Sequence, residues 1–292
     1  MSQTQVGSIC FVGAGPGHPD LLTIAGLRAL QEAQIVLYDA LIDFEGFKSL
    51  APQASWISVG KRANKSSPVQ NFINQTIVSY VRRGYSVVRL KGGDPSIFGR
   101  LTEELDALRN VGIKATVVPG VTAASAAAST LGISLTRRGV SRSVTFLTPA
   151  IGQGFEQDHH WLEAALAGDT VVMYMAWNDR HTLARRLMHA GKSPQTPVGL
   201  VESASLGGAV RLCTLEQLSL DQRELGLGPV CIIIGEVVGP KDRRAEIQLH
   251  WGKLQPAELI KSASRPSPPC NRFTSTRLKE HRLEGTLRSI YR

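Results

Sequence analysis

The chain has 292 residues, 42% of them hydrophobic, and a formal net charge of +9; this length predicts two modest domains rather than one. No run of 18 or more apolar residues occurs, and the first residues lack the pattern of a secretion signal, so we expect a cytoplasmic protein that does not span a membrane. Residues 241–292 hold twelve Lys or Arg against five Asp or Glu, so most of the positive charge lies there. Because the rest of the chain carries no nucleic-acid motif, we predict no nucleic-acid partner.

Residues 1–119 alternate short apolar runs with helical patterns, which is typical of the βα repeat of a mainly parallel sheet. Within 21–33 the apolar residues recur at helical spacing, and the preceding Asp20 is predicted to cap this helix. Strands are predicted at 8–12, 35–38, 56–59, 86–90 and 116–118, and further helices at 69–83 and 101–110. The fold class is therefore α/β, with residues 1–119 as the N-terminal domain.

Residues 120–240 are predicted to form a second α/β domain. It begins with a run of small residues at 121–128, which predicts a helix that packs closely against its neighbours and joins the two domains. Further strands are predicted at 143–147, 170–175, 198–201 and 230–234, a helix at 180–190, and antiparallel edge strands at 206–212 and 236–238. The remaining segment, 241–292, is basic and contains Ser and Pro, so we predict a largely disordered tail.

The first predicted strand runs into Val12-Gly13-Ala14-Gly15-Pro16-Gly17, where α/β proteins usually bind a nucleotide-like ligand. A dinucleotide such as NAD is one candidate, and Asp39, about 20 residues further on, could hold its ribose. The pattern departs in detail, because His18 stands where the third glycine of the fingerprint belongs and Pro16 has no backbone N–H. A NAD-dependent oxidoreductase therefore stays open as an alternative reading of this loop.

A second glycine motif, Lys91-Gly92-Gly93-Asp94-Pro95, follows the strand predicted at 86–90. Two glycines let a flat ligand lie against the main chain, and Asp94 offers a carboxylate to hydroxyl groups or a cation. By itself this segment is typical of a plain turn. Beside Gly13 to Gly17, at a neighbouring strand end, it is predicted to form the wall of a ligand site.

Five ordered motifs resemble the tetrapyrrole methylases, over about residues 6 to 238. They are Gly13 to Thr23, Val36 to Asp39, Gly60 to Arg62, Arg89 to Arg100 and Val118 to Ala124, with further matches at Tyr174-Met175, Thr196 to Val198 and Val230 to Val238. The resemblance implies two α/β domains with the active-site cleft between them and a homodimer. It also implies S-adenosylmethionine as the cofactor, with S-adenosylhomocysteine as its product.

The resemblance also implies the roles of particular residues. Its cofactor positions are Pro16, Gly92, Gly93, Asp94, Ile97, Thr122, Ala123, Met175 and Ala204. The match is closest to the branch that methylates uroporphyrinogen III at C2 and C7 to give precorrin-2, on the way to sirohaem and cobalamin. An electron-rich pyrrole carbon attacks the methyl group and the macrocycle then loses a proton, for which the resemblance implies Asp39 as acceptor and Lys61 as donor.

An anionic tetrapyrrole with eight carboxylates requires cationic side chains around it. The candidates on or beside the motifs are Arg62, Arg100, Arg137, Arg138 and Arg142, together with Lys61. The segments at 101–102, 134–138 and 148–150 depart from the family pattern, which leaves open a later corrin precursor such as precorrin-4 and a non-catalytic relative. The adjacent His159-His160 have no third ligand at a suitable spacing, so we predict no metal.

Overall fold

The computed structural model describes residues 6–60, 70–149, 160–221, 225–226 and 228–239. Within these ranges the chain forms two five-stranded sheets covered by helices, which confirms the predicted α/β class. The elements of the first half are β1 (Ser8–Gly13), α1 (Ile24–Gln31), β2 (Ile35–Tyr38), α2 (Phe44–Leu50), β3 (Ser55–Ser58), α3 (Gln70–Arg82), β4 (Ser86–Lys91), α4 (Leu101–Arg109) and β5 (Thr116–Val118). Those of the second half are α5 (Ala123–Leu131), β6 (Val144–Leu147), α6 (His160–Ala167), β7 (Thr170–Met173), α7 (Arg180–His189), β8 (Pro197–Glu202), β9 (Val210–Thr214), α8 (Leu215–Leu220) and β10 (Val230–Ile234).

The first sheet is parallel throughout, in the order β3-β2-β4-β1-β5. Its central strands are largely apolar because helices cover both of their faces. Phe11 packs on one face with Ile77 of α3, whereas its neighbour Val12 packs on the other face with Leu30 of α1. Since β1, β2 and β4 run in the same direction, the loops that follow them meet at one edge of the sheet.

The second sheet has the order β6-β7-β10-β8-β9, and its β6–β7 pair is parallel. The sequence predicts antiparallel strands only at the edges, yet the central strand β10 runs antiparallel to both β7 and β8. A buried apolar run identifies a strand but not its direction, which here depends on how the chain returns from β9 and α8. The predicted edge strand at 236–238 is a turn, and the one predicted at 206–212 lies at Val210–Thr214.

The small-residue helix α5 packs closely against the second sheet, as predicted. Ala124 and Ala127 are fully buried in a cluster with Val172 of β7 and Ile233 of β10. Close approach also needs Gly199 of β8, where an added Cβ would lie 2.6 Å from the side chain of Leu131. The helix follows β5 directly and covers β8 and β10, so it joins the two halves of the chain.

The predicted cap of the first helix is wrong. Helix α1 begins at Ile24, and its cap is Thr23, whose hydroxyl accepts the N–H of Gly26 at 3.0 Å. Asp20 instead lies in a separate 3₁₀ turn, Pro19–Leu21. The short helices α2 and α8 are absent from the sequence prediction because about two turns or fewer show no clear period. Among the helices that the structure describes, none is both long and apolar enough to cross a bilayer.

Candidate active site

The loops that follow β1, β4 and β5 are joined by backbone contacts at the carboxyl edge of the first sheet. The N–H of Gly15 donates to the carbonyl of Gly93 at 3.2 Å, and the N–H of Gly93 donates to the carbonyl of Gly15 at 2.6 Å. A Cβ on Gly13 would lie 2.6 Å from the backbone of Gly120, so no side chain fits between these loops. The two glycine motifs therefore form one continuous wall.

This wall borders a cleft of about 200 Å³, here called cavity one, whose lining comes from both halves of the chain. All nine residues that the family resemblance implies for the cofactor line it: Pro16, Gly92, Gly93, Asp94, Ile97, Thr122, Ala123, Met175 and Ala204. Folding thus brings these positions together from both halves of the chain.

Seven further residues line cavity one and were missed by the sequence reasoning. They are Leu41, Phe98, Tyr174, Val201, Pro229, Val230 and Cys231. Six of these side chains are apolar or nearly so, and burial raises the pKa of the Cys231 thiol to about 12, which keeps it neutral. Residues of this kind are typical of a hydrophobic core, so only the position of Phe98, Tyr174, Val230 and Cys231 inside matched segments could have identified them.

Tyr174 ties the bridging helix to the second sheet at the floor of cavity one. Its hydroxyl lies 2.6 Å from the hydroxyl of Thr122 and accepts the N–H of Ala124 at 3.2 Å, which caps the first turn of α5. Its ring packs against Phe98 and Phe146, with centroids 5.1 and 5.9 Å away. Burial is the main cause that raises the pKa of Tyr174, so the phenol is neutral at physiological pH.

Asp94 holds the second glycine motif against the turn that precedes α5. One carboxylate oxygen accepts the N–H of Gly120 at 2.9 Å, and the other accepts the N–H of Ser96 at 2.8 Å and also its hydroxyl. Partial burial alone would raise the pKa of Asp94, but these hydrogen bonds outweigh it and lower the pKa below its ordinary value. The side chain is therefore a fixed carboxylate on the wall of cavity one.

Backbone strain is concentrated around the cleft. Within the described ranges, the non-glycine residues with positive φ are Phe98, Arg100, Met175 and Ser203, at 51°, 53°, 54° and 44°. Phe98 and Met175 line cavity one, and Ser203 precedes the lining residue Ala204. A left-handed conformation costs a side-chain-bearing residue about 1–2 kcal/mol, so the surrounding packing must hold these residues in place.

A second cleft of about 390 Å³, here called cavity two, adjoins the first. The two share Leu41, Gly92, Ile97 and Phe98 as a common wall. Charged side chains distinguish the rest of cavity two, which is lined by Asp39, Arg89, Lys91, Arg100 and Glu104, and by Ala40, Val59, Gly60, Gln70, Ile73 and Gly99. The proposed proton acceptor and one predicted substrate contact thus lie in the same cleft.

Four of these charges form an ionic network. Nη2 of Arg89 donates to Oδ1 of Asp39 at 2.6 Å, and its Nε donates to Oε2 of Glu104 at 3.2 Å. Nζ of Lys91 donates to Oε1 of the same Glu104 at 2.7 Å. Burial and the charge of Arg89 lower the pKa of Lys91. Burial opposes the charge on Arg89, but Asp39 and Glu104 outweigh it and raise the pKa of the guanidinium.

The other predicted substrate contacts are placed differently. Arg100 lines cavity two and forms two hydrogen bonds of 2.7 Å with Glu103, one turn further along α4. The other predicted arginines that the structure describes, Arg137, Arg138 and Arg142, line neither cavity. Arg137 exchanges backbone hydrogen bonds with Ser141 in a tight turn, and Arg138 and Arg142 are exposed beside this turn. Lys61 and Arg62 lie outside the described residues.

The geometry of the first loop disfavours a dinucleotide. The N–H groups of Ala14, Gly15 and His18 donate to Lys91, Gly93 and Ser205, at 2.8, 3.2 and 3.0 Å. These amides are therefore not available to a pyrophosphate. In addition, α1 begins only at Ile24, after the intervening 3₁₀ turn, so its N-terminus is not at the glycine loop where the dinucleotide fold places it.

Comparison with known proteins agrees with this geometry. The model of the tetrapyrrole (corrin/porphyrin) methylases matches residues 8–219. The structure of uroporphyrin-III C-methyltransferase from Thermus thermophilus in complex with S-adenosylhomocysteine is similar, with a TM-score of 0.68, 35% identity, and coverage of 80% of this chain and 99% of that one. The cobalt precorrin-4 methyltransferase CbiF also has a TM-score of 0.68, at 26% identity, with coverage of 80% of this chain and 96% of its own.

Among curated proteins, the chain is similar to siroheme synthases. That of Tolumonas auensis is 42% identical over 239 residues, which are 81% of this chain and 50% of that protein. That of Ruthia magnifica subsp. Calyptogena magnifica is 40% identical over 263 residues, which are 89% of this chain and 54% of that protein. The chain thus spans about half the length of the curated relatives it matches. Because the family model matches residues 8–219 and the fold agrees with that of the solved methyltransferases, the chain belongs to the tetrapyrrole methylases.

Proposed function

We propose that this protein transfers methyl groups from S-adenosylmethionine to an anionic tetrapyrrole. The observation that carries the proposal is the pair of adjoining cavities, because the nine matched cofactor positions line one of them and Asp39 and Arg100 line the other. A methyl transfer needs its donor and acceptor next to each other and aligned. Cavity one serves as the donor site and cavity two as the acceptor site.

The residues of cavity one fit S-adenosylmethionine. Gly93 lines the cavity, and a Cβ built on it would meet no atom within 4 Å, so the main chain leaves open space there. The apolar side chains of Val201 and Val230 suit an adenine ring, and the ionised Asp94 suits hydroxyl groups or a cation. When bound, the cofactor supplies an electrophilic methyl group on a sulfonium.

The protein's own contribution is alignment, exclusion of water and removal of a proton. Leu41, Ile97 and Phe98 form an apolar wall where the two cavities meet, which keeps water from the reacting carbon. As the carbon–carbon bond forms, the carbon–sulfur bond breaks and S-adenosylhomocysteine is left. The macrocycle then loses a proton, which Asp39 accepts, and Lys61 is the matching donor.

For the acceptor we propose uroporphyrinogen III, methylated at C2 and then C7 to give precorrin-2 for sirohaem or cobalamin. Identity to the uroporphyrin enzyme exceeds that to the precorrin-4 enzyme, 35% against 26%, at an equal TM-score, which favours the former acceptor. Among the three described cations that line cavity two, Arg89 and Lys91 are buried in the ionic network and Arg100 is exposed, so Arg100 is in position to pair with a substrate carboxylate. Contacts of Arg62, Arg137, Arg138 and Arg142 with the substrate remain part of the proposal.

Mass spectrometry of the reaction product tests the proposal. Purified protein with S-adenosylmethionine and uroporphyrinogen III is expected to yield two added methyl groups and two S-adenosylhomocysteines per macrocycle, and none without the tetrapyrrole. Turnover of precorrin-4 but not of uroporphyrinogen III would show that the acceptor is a later corrin precursor. Binding of S-adenosylhomocysteine without turnover of either tetrapyrrole would leave a non-catalytic relative and overturn the function.

We further propose that the protein is a cytoplasmic homodimer. We also propose that it divides into domains at 1–119 and 120–240, followed by the tail 241–292. Support for the division comes from the two separate sheets, which are joined through α5. Sedimentation velocity of the purified chain tests the dimer, and limited proteolysis near residue 119 tests the division.

A further inference from the structure

A buried ionic network opens to solvent mainly through one of its four members. The side chains of Arg89, Lys91 and Glu104 are 2%, 3% and 1% exposed, whereas Asp39 is 26% exposed. All four side chains line cavity two, but Asp39 is the member with appreciable exposure to it. The formal charges of the network, two positive and two negative, balance.

Every nitrogen of the Arg89 guanidinium donates a hydrogen bond to the protein. Its Nε donates to Glu104 at 3.2 Å, and its Nη1 donates to the carbonyls of Leu37 and Leu90 at 3.4 and 3.1 Å. The remaining nitrogen, Nη2, donates to Asp39 at 2.6 Å and, at the longer distance of 3.4 Å, to Oε1 of Glu104. Since a planar guanidinium with fixed partners on two sides has little freedom, the position of Nη2 is determined by the protein interior.

Glu104 is the anchor of this arrangement. It accepts from Nζ of Lys91 at 2.7 Å and from Nε2 of Gln70 at 3.2 Å, in addition to Arg89. These donors come from β4 and α3, so the carboxylate on α4 is fixed from two neighbouring elements. Burying ions in this way stabilises a fold no better than apolar side chains of similar volume would, so the stability of the sheet alone gives no reason for this network.

We infer that Arg89 is the positioning residue for Asp39, which it holds at cavity two through the buried network anchored on Glu104. Asp39 follows β2, where a loop carboxylate could otherwise adopt several rotamers. The hydrogen bond to Arg89 selects one of them and leaves the other carboxylate oxygen for the acceptor. This inference rests on the proposed function, because it assigns Arg89 a role through the proton acceptor.

A double-mutant cycle tests it. Arg89→Lys keeps the buried charge but cannot bond both carboxylates, so kcat is expected to fall about 10- to 100-fold. In an Asp39→Asn background the same change is expected to alter kcat by less than about twofold, because the group it positions is already gone. The dissociation constant of S-adenosylhomocysteine is expected to stay within about twofold in all variants.

Arg211→Lys is the matched control, since Arg211 on β9 forms an ion pair with Asp221, which follows α8, and neither residue lines either cavity. It is expected to leave kcat unchanged.

Equal losses of kcat from Arg89→Lys with and without Asp39 would overturn the inference, and so would an Asp39→Asn variant that retains full kcat. Crystal structures of the wild type and Arg89→Lys give a readout without turnover: an Asp39 carboxylate in the same place in both overturns the inference even if no tetrapyrrole is methylated. Failure of the proposed function would be detected separately, because the wild-type protein would then form no methylated product.

Discussion

Cavity one and cavity two share a wall but are built from different chemistry. Cavity one is lined by glycines, apolar side chains and the fixed carboxylate of Asp94, whereas cavity two presents five charged side chains. In the first, main-chain contacts set the shape, as in the paired hydrogen bonds of Gly15 and Gly93. In the second, ion pairs set the positions of the side chains.

This difference fits the two reactants that we propose. In this proposal the cofactor is recognised largely by shape and by backbone groups, which tolerate no added side chain where the loops touch. A substrate with many carboxylates is recognised by charge, which depends on salt and protonation. Variants in cavity one should therefore change cofactor affinity at any ionic strength, and variants in cavity two should change substrate affinity in a salt-dependent manner.

The largest effect is expected from Gly120→Ala. Its new Cβ would lie 2.4 Å from the carbonyl of Gly93 and 2.8 Å from Cα of Gly13, so two loops must separate. We expect about a 100-fold weaker affinity for S-adenosylhomocysteine, measured by calorimetry at low and high salt. Gly112→Ala is a control for strain alone: its φ of 73° disfavours a side chain, but the new Cβ would meet nothing within 4 Å and the residue lies outside both cavities, so no loss of affinity is expected. An affinity that differs less than twofold between the two variants would contradict the role of shape.

Arg100→Ala should affect the other reactant. Loss of this cation from cavity two is expected to raise KM for uroporphyrinogen III by about tenfold at low salt, and by less as salt increases. Arg109→Ala is a close control, since Arg109 lies on the same helix and pairs with Asp106 three residues away, as Arg100 pairs with Glu103. Equal effects of the two substitutions would show that cavity two does not select by local charge.

Tyr174→Phe should have a smaller effect, and this effect should be limited to cavity one. The variant loses the hydrogen bonds to Thr122 and Ala124 but keeps the ring contacts with Phe98 and Phe146. We expect the free energy of unfolding to fall by about 1 kcal/mol and the affinity for S-adenosylhomocysteine to weaken about threefold. Urea unfolding and calorimetry measure these, with Tyr80→Phe, on α3, as the control. A changed KM for the tetrapyrrole alone would break the separation of the two cavities.

The smallest effect is expected from the pH dependence that Asp94 contributes. Hydrogen bonds from Ser96 and Gly120 hold its pKa below the ordinary value, so the unfolded chain binds this proton at a higher pH than the folded chain does. The stabilisation is complete above about pH 4 and is lost as the pH falls through the folded pKa. Urea unfolding should show Asp94→Asn less stable than the wild type at neutral pH, with a difference that narrows in acid. A difference that is constant with pH would contradict the assignment.

Much of the fold could be predicted from local patterns. The five parallel strands of the first sheet follow from apolar runs alternating with helical periods, and the close packing of α5 follows from its small residues. The direction of β10 and the short helix α2 could not be predicted, because the first depends on partners distant in the chain and the second is too short to show a period. The cap of α1 by Thr23 is local and was missed because Asp20, three residues earlier, is also a typical capping residue.

The same division applies to the site. The sequence alone determined that the two glycine motifs and Asp94 form one ligand wall, because parallel neighbouring strands end at one edge and glycine permits close backbone contact. Only the tertiary structure decided that Arg89 bonds Asp39, that Phe98 stands between the two cavities, and that the 137–142 turn lies away from both. Charge and apolarity are properties of single residues, but which side chain is buried, and against what, is decided by contacts between distant parts of the chain.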